Sequence, residues 1–371
     1  EKIEQKTVNN SYKMEIRRTA TSFLPTSAVL EMTYACNHKC LFCSCPWEYP
    51  QSNYQKGKPL ELDEWKACIK KLIEMGVSNI SYTGGEPLLN PHIKEIIEYT
   101  ASLKAKFVTD NLEIEEKQPY QYLISNGQLL DYEMLKFIKK YDVNLSMSLP
   151  GLKSYHSHTQ NGNYEKILSL FKQAKELDIN TTVNIACTKL NLSELYETIS
   201  NALLAGANTL LLNRFLPGGR GMFNVDELFL NKEETRQMLT IAEEVLKKAN
   251  RFGSVGTELP VCLINDMKFD NLTVGTKCAA AIGFFVVGPE GMIRACNHSP
   301  VQLCHYTDIE TLKNNDYWKT FVFKRYLPEN CLHCELNYLC DGGCREAAHV
   351  YNNTLKRVDP VFVRCGAILK N

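Results

Sequence analysis

The chain has 371 residues, 44% of them hydrophobic, and its 42 Lys+Arg balance 42 Asp+Glu. That length accommodates two or more domains with a sizeable core, and zero net charge removes the electrostatic case for nucleic acid or an anionic membrane surface as partner. No apolar run approaches a membrane-spanning length, Glu1–Ala20 hold no signal-like apolar stretch, and fifteen cysteines without an export signal favour metal or cluster ligation over disulfides, in a cytoplasmic, oxygen-poor setting.

Residues 1–26 carry no periodic signal and are expected as a tail. The apolar run 28–34 predicts a buried strand. It leads into Cys36-Asn-His-Lys-Cys40-Leu-Phe-Cys43, a C-x3-C-x2-C spacing. Three thiolates on one loop can hold three corners of a cubane iron–sulfur cluster, which ordinarily takes four cysteines, so one iron is left for another ligand. Cys45 lies too close to Cys43 to add a natural fourth corner. The alternative is a zinc knuckle, although zinc favours C-x2-C pairs and four ligands.

Pro46 to Pro59 is polar and turn-rich. Leu62, Trp65, Ile69, Leu72 and Ile73 share one helical face, and Gly76 suits the C-terminal cap. A strand over 79–82 ends at Thr83-Gly84-Gly85-Glu86-Pro87. Asn90-Pro91 predicts an N-cap and first helical residue, with Ile93, Ile96 and Ile97 turned inward. The segment 104–121, with Asp110, Glu113, Glu115 and Glu116, is too long for an ordinary connection. It is expected as a solvated hairpin, or else as a lid or peptide-contact surface.

The rhythm then repeats. Strand 122–124 precedes Ser125-Asn126-Gly127 and helix 131–140. Strand 143–148 precedes Pro150-Gly151 and helix 164–177. Strand 182–186 precedes helix 192–205, and strand 209–215 precedes Pro217-Gly218-Gly219-Arg220-Gly221. Six alternations predict an α/β fold whose parallel sheet curves into a partial (β/α)6 TIM-type barrel, with function on the loops after the strand C-termini. Helix 233–250 closes that barrel. From about Gly256 the chain is cysteine-rich and irregular, the composition of a region stapled by metals or clusters.

At Cys36, Cys40 and Cys43 the chain resembles the radical SAM superfamily. The resemblance implies that the open iron chelates S-adenosylmethionine (SAM). The reduced cluster then cleaves SAM to methionine and a 5′-deoxyadenosyl radical, which takes hydrogen from substrate. Phe42 matches the family's aromatic position near the adenine. Gly84, Gly85, Glu86 and Pro87 match its GGEP motif, which holds the methionine amino group. Ser125 and Asn126 match its polar patch after the third strand, and Ser148 (with Ser146 beside it), Asn184 and Arg214 fall where it places SAM contacts. Two departures stand out. Ser148-Leu149-Pro150-Gly151 replaces the frequent Ser-Leu-Asp-Gly, and Thr159-Gln160 takes the place of a SAM-clamping arginine.

The tail reads Cys278-x12-Gly291-x4-Cys296, then Cys331-x2-Cys334-x5-Cys340-x3-Cys344, then Cys365. This seven-cysteine pattern resembles the SPASM domain, which binds two auxiliary four-iron clusters. The resemblance assigns Cys278, Cys296 and Cys344 to one cluster, with Cys262 as its fourth ligand, and Cys331, Cys334, Cys340 and Cys365 to the other. Two zinc sites are the alternative. Cys68 and Cys187 are expected in the core; Cys304 is open between core and site. Sulfatase-maturing members carry an aspartate where Asn297 stands, so that activity is not expected. His298 beside it is either a base or a polar contact.

The expected divisions are a tail (1–26), a radical SAM barrel (27–225), a bridging helix and linker (226–257) and a SPASM domain (258–371). The expected cofactors are three [4Fe-4S] clusters and SAM. The expected activity is hydrogen abstraction from a residue of a ribosomally made peptide, leading to a thioether or carbon–carbon crosslink, an oxidation or an epimerisation. Only 35 residues precede Cys36, so a separate leader-binding protein or direct substrate recognition is expected, together with a flavodoxin- or ferredoxin-type electron donor and neither nucleic acid nor membrane as partner. The alternatives are oxidation of a small molecule or tetrapyrrole and, more distantly, a zinc-stapled binding protein.

Overall fold

A computed structural model describes residues 23–111 and 113–363. The first elements are β1 (Ser27–Glu31), α1 (Leu62–Glu74), β2 (Asn79–Thr83), α2 (Ile93–Ser102), β3 (Ala105–Val108), β4 (Ile114–Lys117), β5 (Tyr120–Ser125) and α3 (Tyr132–Lys140). There follow β6 (Val143–Ser148), α4 (Tyr155–Thr159), α5 (Tyr164–Glu176), β7 (Thr181–Cys187), α6 (Leu195–Ala205), β8 (Thr209–Arg214), α7 (Val225–Leu228) and α8 (Lys232–Ala249). The remainder is β9 (Gly253–Val255), α9 (Val261–Ile264), β10 (Leu272–Val274), β11 (Phe284–Val287), β12 (Met292–Arg294), β13 (Cys304–His305), α10 (Asp316–Val322), α11 (Arg345–Asn352) and α12 (Pro360–Val363).

The six expected strands lie side by side in one parallel block, within a sheet ordered β10-β9-β8-β7-β6-β5-β2-β1-β11-β12-β13. On one face, Ile80, Leu123, Leu145, Val183 and Leu212 are fully buried in the same core as Trp65 and Phe171 of the helices. Each such burial contributes roughly 1.5–3 kcal/mol. A parallel sheet covered on both faces has near-continuous apolar strands. Here β6 and β7 alternate instead, and Asn144, Ser146, Ser148, Thr182 and Asn184 give a half-buried polar face opposite the helices.

Local chemistry sets the element ends. Glu61 and Glu64 form a capping box on α1, and Gly76 leaves it with φ +97°. Asp131 and Asn163 cap α3 and α5 through their side chains. β1 stops at Glu31 rather than Tyr34, because the carbonyls of Thr33 and Ala35 accept from Gly85 N and Glu86 N outside the sheet. The expected cap at Asn90-Pro91 is corrected as well. α2 starts at Ile93 after His92, while buried Asn90 accepts from His92 N (2.8 Å) and donates Nδ2–H to the Met32 carbonyl (2.8 Å), tying this turn to the end of β1. The 104–121 insertion is an antiparallel hairpin of β3 and β4 with Lys106, Glu115 and Glu116 exposed, as its solvated reading expects.

Beyond β8 the sheet continues. β9 pairs with β8 and β10 with β9, both parallel. On the other side β11 pairs parallel with β1, from Ser27↔Phe284 to Leu30↔Val287, and β12 and β13 follow antiparallel. No helix among the described residues is long and apolar enough to cross a membrane.

Candidate active site

The Cys36–Cys43 loop leaves the C-terminal end of β1 and is held from two sides. On one, Leu41 N donates to His158 O (2.9 Å), Lys39 N to Thr159 O (3.1 Å) and Asn161 Nδ2 to Asn37 O (2.8 Å). On the other, Gly221 N donates to Cys43 O (3.0 Å), Arg220 Nη1 to Cys40 O (3.2 Å) and Asn224 Nδ2 to Leu41 O (3.1 Å). The Gly-rich run after β8 is therefore the cradle of the first cysteine loop. Arg220, which also pairs with Glu48, is a site residue that the sequence reading left without a role.

The three thiols share one neighbourhood. Cys36 is exposed, and Cys40 and Cys43 are half-buried. Burial pushes the Cys36 and Cys40 thiols up, and the nearby Arg220 charge counteracts this at Cys40. Cys43 is pulled down chiefly by a hydrogen bond with Cys45, which raises the Cys45 thiol in turn. Cys45 faces the Gly84 carbonyl (3.7 Å). Asn126 Nδ2 lies 3.9 Å from Cys36 Sγ, and the Phe42 ring meets His158 edge-on at 5.6 Å.

Gly84 and Gly85 press against the chain entering the cysteine loop. Gly84 has φ +130°, and a Cβ on Gly85 would lie 2.1 Å from the Ala35 carbonyl. Only glycine permits that approach. Glu86, 1% exposed, accepts from Ser125 Oγ (2.7 Å), Asn126 N (2.8 Å) and Leu88 N (3.3 Å), and burial raises its pKa. Its carboxylate thus ties the loops after β2 and β5 together, and buried Pro87 opens the turn Pro87–Leu89.

Ser148 and Asn184 stand opposite one another on β6 and β7. Asn184 Oδ1 accepts from Asn213 Nδ2 (3.0 Å), so Asn213 joins this polar face. The sequence reading chose Arg214, one residue later, and strand alternation sends that side chain to the other face. Arg214 is 3% exposed; its Nη2 donates to Asp359 Oδ2 (2.5 Å) and to the Glu258 carbonyl (3.3 Å). Thr209-Leu-Leu-Leu-Asn-Arg offers no alternation to choose by, because three successive leucines mask it. Gln160, at the expected arginine position, is an exposed left-handed cap of α4.

The tail cysteines form two groups. Cys278, Cys296 and Cys344 are buried, and burial pushes their thiols up, helped by the negative charge of Glu258 at Cys278 and Cys344 and of Cys344 at Cys296. Carboxylates hold their backbone: Asp341 Oδ2 accepts from Cys278 N (2.8 Å), Asp359 Oδ2 from Cys344 N (2.7 Å) and Glu258 Oε1 from Ala279 N (3.1 Å). The second group corrects an expectation. Cys262 does not join Cys278; it lines one cavity with Cys331, Cys334 and Cys340, and Val261 N donates to Cys340 Sγ (3.4 Å). Spacing upstream of Cys278 says nothing about which way α9 turns. Cys365 lies outside the described residues.

Cys68 and Cys187 are fully buried in the core, and Cys304 is half-buried in β13. His298 Nδ1 lies 3.9 Å from Cys296 Sγ, with burial pulling its pKa down to about 4. Among the described residues no three Cys, His, Asp or Glu side chains converge on a point for a single ion. A cubane spreads its ligands over separate irons, so shared neighbourhood is the relevant test, and both tail groups and the first loop meet it.

Residues 30–202 match the model of the Radical SAM superfamily. Over 361 residues the chain is 25% identical to the PqqA peptide cyclase of Bradyrhizobium diazoefficiens, covering 93% of this chain and 88% of that protein. The fold is similar to that of Streptococcus suis SuiB bound to S-adenosylmethionine (TM-score 0.65, 15% identity, 96% of this chain and 81% of that one), which was also solved with its precursor peptide SuiA. It is similar as well to anSMEcpe with bound AdoMet (TM-score 0.67, 16% identity, 90% of this chain and 93% of that one).

Proposed function

We propose that the chain, whose residues 30–202 match the Radical SAM superfamily model, is a member of that superfamily and cleaves SAM reductively to modify a residue of a ribosomally made peptide. The observation that carries this reading is the C-x3-C-x2-C loop, clamped at the end of β1 and backed by Gly84–Glu86. When bound, the clusters and SAM supply the electron transfer, the 5′-deoxyadenosyl radical that abstracts hydrogen and, for an oxidised product, a sink for the substrate's electron.

The chain's own residues do the holding and orienting. Cys36, Cys40 and Cys43 would ligate the SAM-cleaving cluster, and the backbone of Gly84 and Gly85 would meet the methionine end of SAM. Glu86 fixes Ser125 and Asn126, and Asn126 lies beside Cys36. Ser148, Asn184 and Asn213 present hydroxyl and amide groups on the polar face of the sheet, suited to the ribose or carboxylate of SAM. Phe42 would flank the adenine. The likeness to a peptide cyclase over nearly the whole chain supports a peptide substrate over a small molecule or tetrapyrrole. A flavodoxin- or ferredoxin-type donor would supply electrons.

Two auxiliary [4Fe-4S] clusters complete the proposal. Cys278, Cys296 and Cys344 would hold the inner one. Cys331, Cys334 and Cys340 would hold the outer one, with Cys262 or Cys365 as its fourth ligand. Anaerobically reconstituted protein should bind about twelve irons and convert SAM to 5′-deoxyadenosine. Changing Cys36, Cys40 and Cys43 together to Ala should leave about eight irons and abolish cleavage. Cleavage at the parent rate by that variant would refute the reading. Cys262→Ala and Cys365→Ala, compared by iron count, identify the outer ligand.

A further inference from the structure

Arg214 carries charge and hydrogen-bond donors into the wall of the inner cysteine group, and part of it has no partner among the described residues. Its Nη2 is used by Asp359 and by the Glu258 carbonyl. Its Nε and Nη1 are buried with no hydrogen-bond partner among the described residues. Guanidinium stays charged at any working pH, and a buried donor left unpaired is costly. The charge pair alone would need only one edge of the fork.

Two contacts put this guanidinium beside Cys344. Asp359 Oδ2 accepts both Arg214 Nη2 and Cys344 N. Leu216, two residues along the chain, packs with Cys344 and Ala347. Around the same thiols lie the carboxylates of Glu258, Asp341 and Asp359, each accepting a backbone N–H or a cation. Among the described residues no oxygen accepts Nε–H or Nη1–H, and the Arg214 charge acts on the nearby Cys344 thiol.

We propose that Arg214 donates Nε–H and Nη1–H to sulfur of the inner auxiliary cluster and so holds that cluster's reduction potential up, as an electron acceptor requires. This rests on the reading that Cys278, Cys296 and Cys344 hold a cluster. Hydrogen bonds to cluster sulfur and nearby positive charge both favour the reduced, more negative state. Arg214 is then a positioning residue for the substrate half of the reaction and not a SAM contact.

The test uses the full chain with Cys36, Cys40 and Cys43 changed to Ala, so that paramagnetic signals come from the auxiliary clusters alone. With arginine labelled in 15N, one of the two reduced signals should show a nitrogen hyperfine coupling. Arg214→Lys should abolish that coupling and make the same signal harder to reduce by at least tenfold in its equilibrium constant, about 59 mV for one electron. The second signal, the internal control, should not move. The proposal is overturned if the labelled parent shows no arginine coupling, a result that does not depend on how well Arg214→Lys assembles. It is overturned equally if a fully iron-loaded Arg214→Lys protein keeps both midpoints. An iron count showing no auxiliary cluster in the triple-Ala background would overturn the cluster reading first, and this inference with it.

Discussion

His158 is fully buried, and its ring bonds decide how the first cysteine loop is seated. Nδ1 meets the Pro150 carbonyl (2.8 Å), so it must carry the proton; Nε2 then accepts from Thr188 Oγ1 (2.7 Å). The neutral ring is satisfied on both sides, and burial pulls its pKa below the ordinary value of 6.5. Above pH 6.5 neither state binds the proton, and below it the unfolded chain does while the folded one resists. Stability is thus full above pH 6.5 and falls with pH until the folded pKa is passed, at up to ~1.4 kcal/mol per pH unit. Urea unfolding at pH 7.5 and 5.5 should show the parent losing up to ~1.4 kcal/mol more than His158→Gln; equal losses would mean that the ring does not resist protonation.

At the element scale, the turn Gly219–Asn224 works as a clamp rather than a connection. Gly219 has φ +47°, and a Cβ there would lie 2.4 Å from the Cys45 carbonyl and 2.6 Å from that of Cys43. Any side chain both strains the backbone, by about 1–3 kcal/mol, and pushes the cysteine loop away from Gly84. Gly219→Ala should therefore lose one cluster's worth of iron and most SAM cleavage while the auxiliary signals persist. Gly275, with nothing among the described residues within 4 Å of an added Cβ, is the matched control and should tolerate Ala with full iron. A Gly219→Ala protein with unchanged iron would show that the clamp is slack.

For the whole molecule, the pairing of β1 with β11 is decisive. The strand that launches the first cysteine loop has β2 on one side and a strand of the cysteine-rich region on the other. Phe285 and Val287 are fully buried in the common core. A chain stopped after residue 257 would bare the β1 edge and the apolar surface beneath it, a template for aggregation. It should be insoluble or fail to unfold cooperatively, whereas the full chain should melt in one transition. A soluble, cooperatively folded 1–257 fragment would mean that the two regions are independent after all.

The sequence alone determined what local spacing encodes. C-x3-C-x2-C, Gly84-Gly85-Glu86-Pro87, the Gly76 exit from α1 and six strand–helix alternations were all legible, because each is a short pattern whose period or ligand spacing carries the chemistry. Only the tertiary structure decided the rest. β9, β10 and β12 are three residues each, too short to show a period, and exist because a neighbouring edge offers hydrogen bonds. The face of Arg214 was hidden by a run of leucines and was set by Asp359, 145 residues away. The company of Cys262 was set by α9 turning toward Cys340, a contact 79 residues distant. Spacing along the chain reports which thiols are available; which of them share a site depends on long-range packing that no local pattern records.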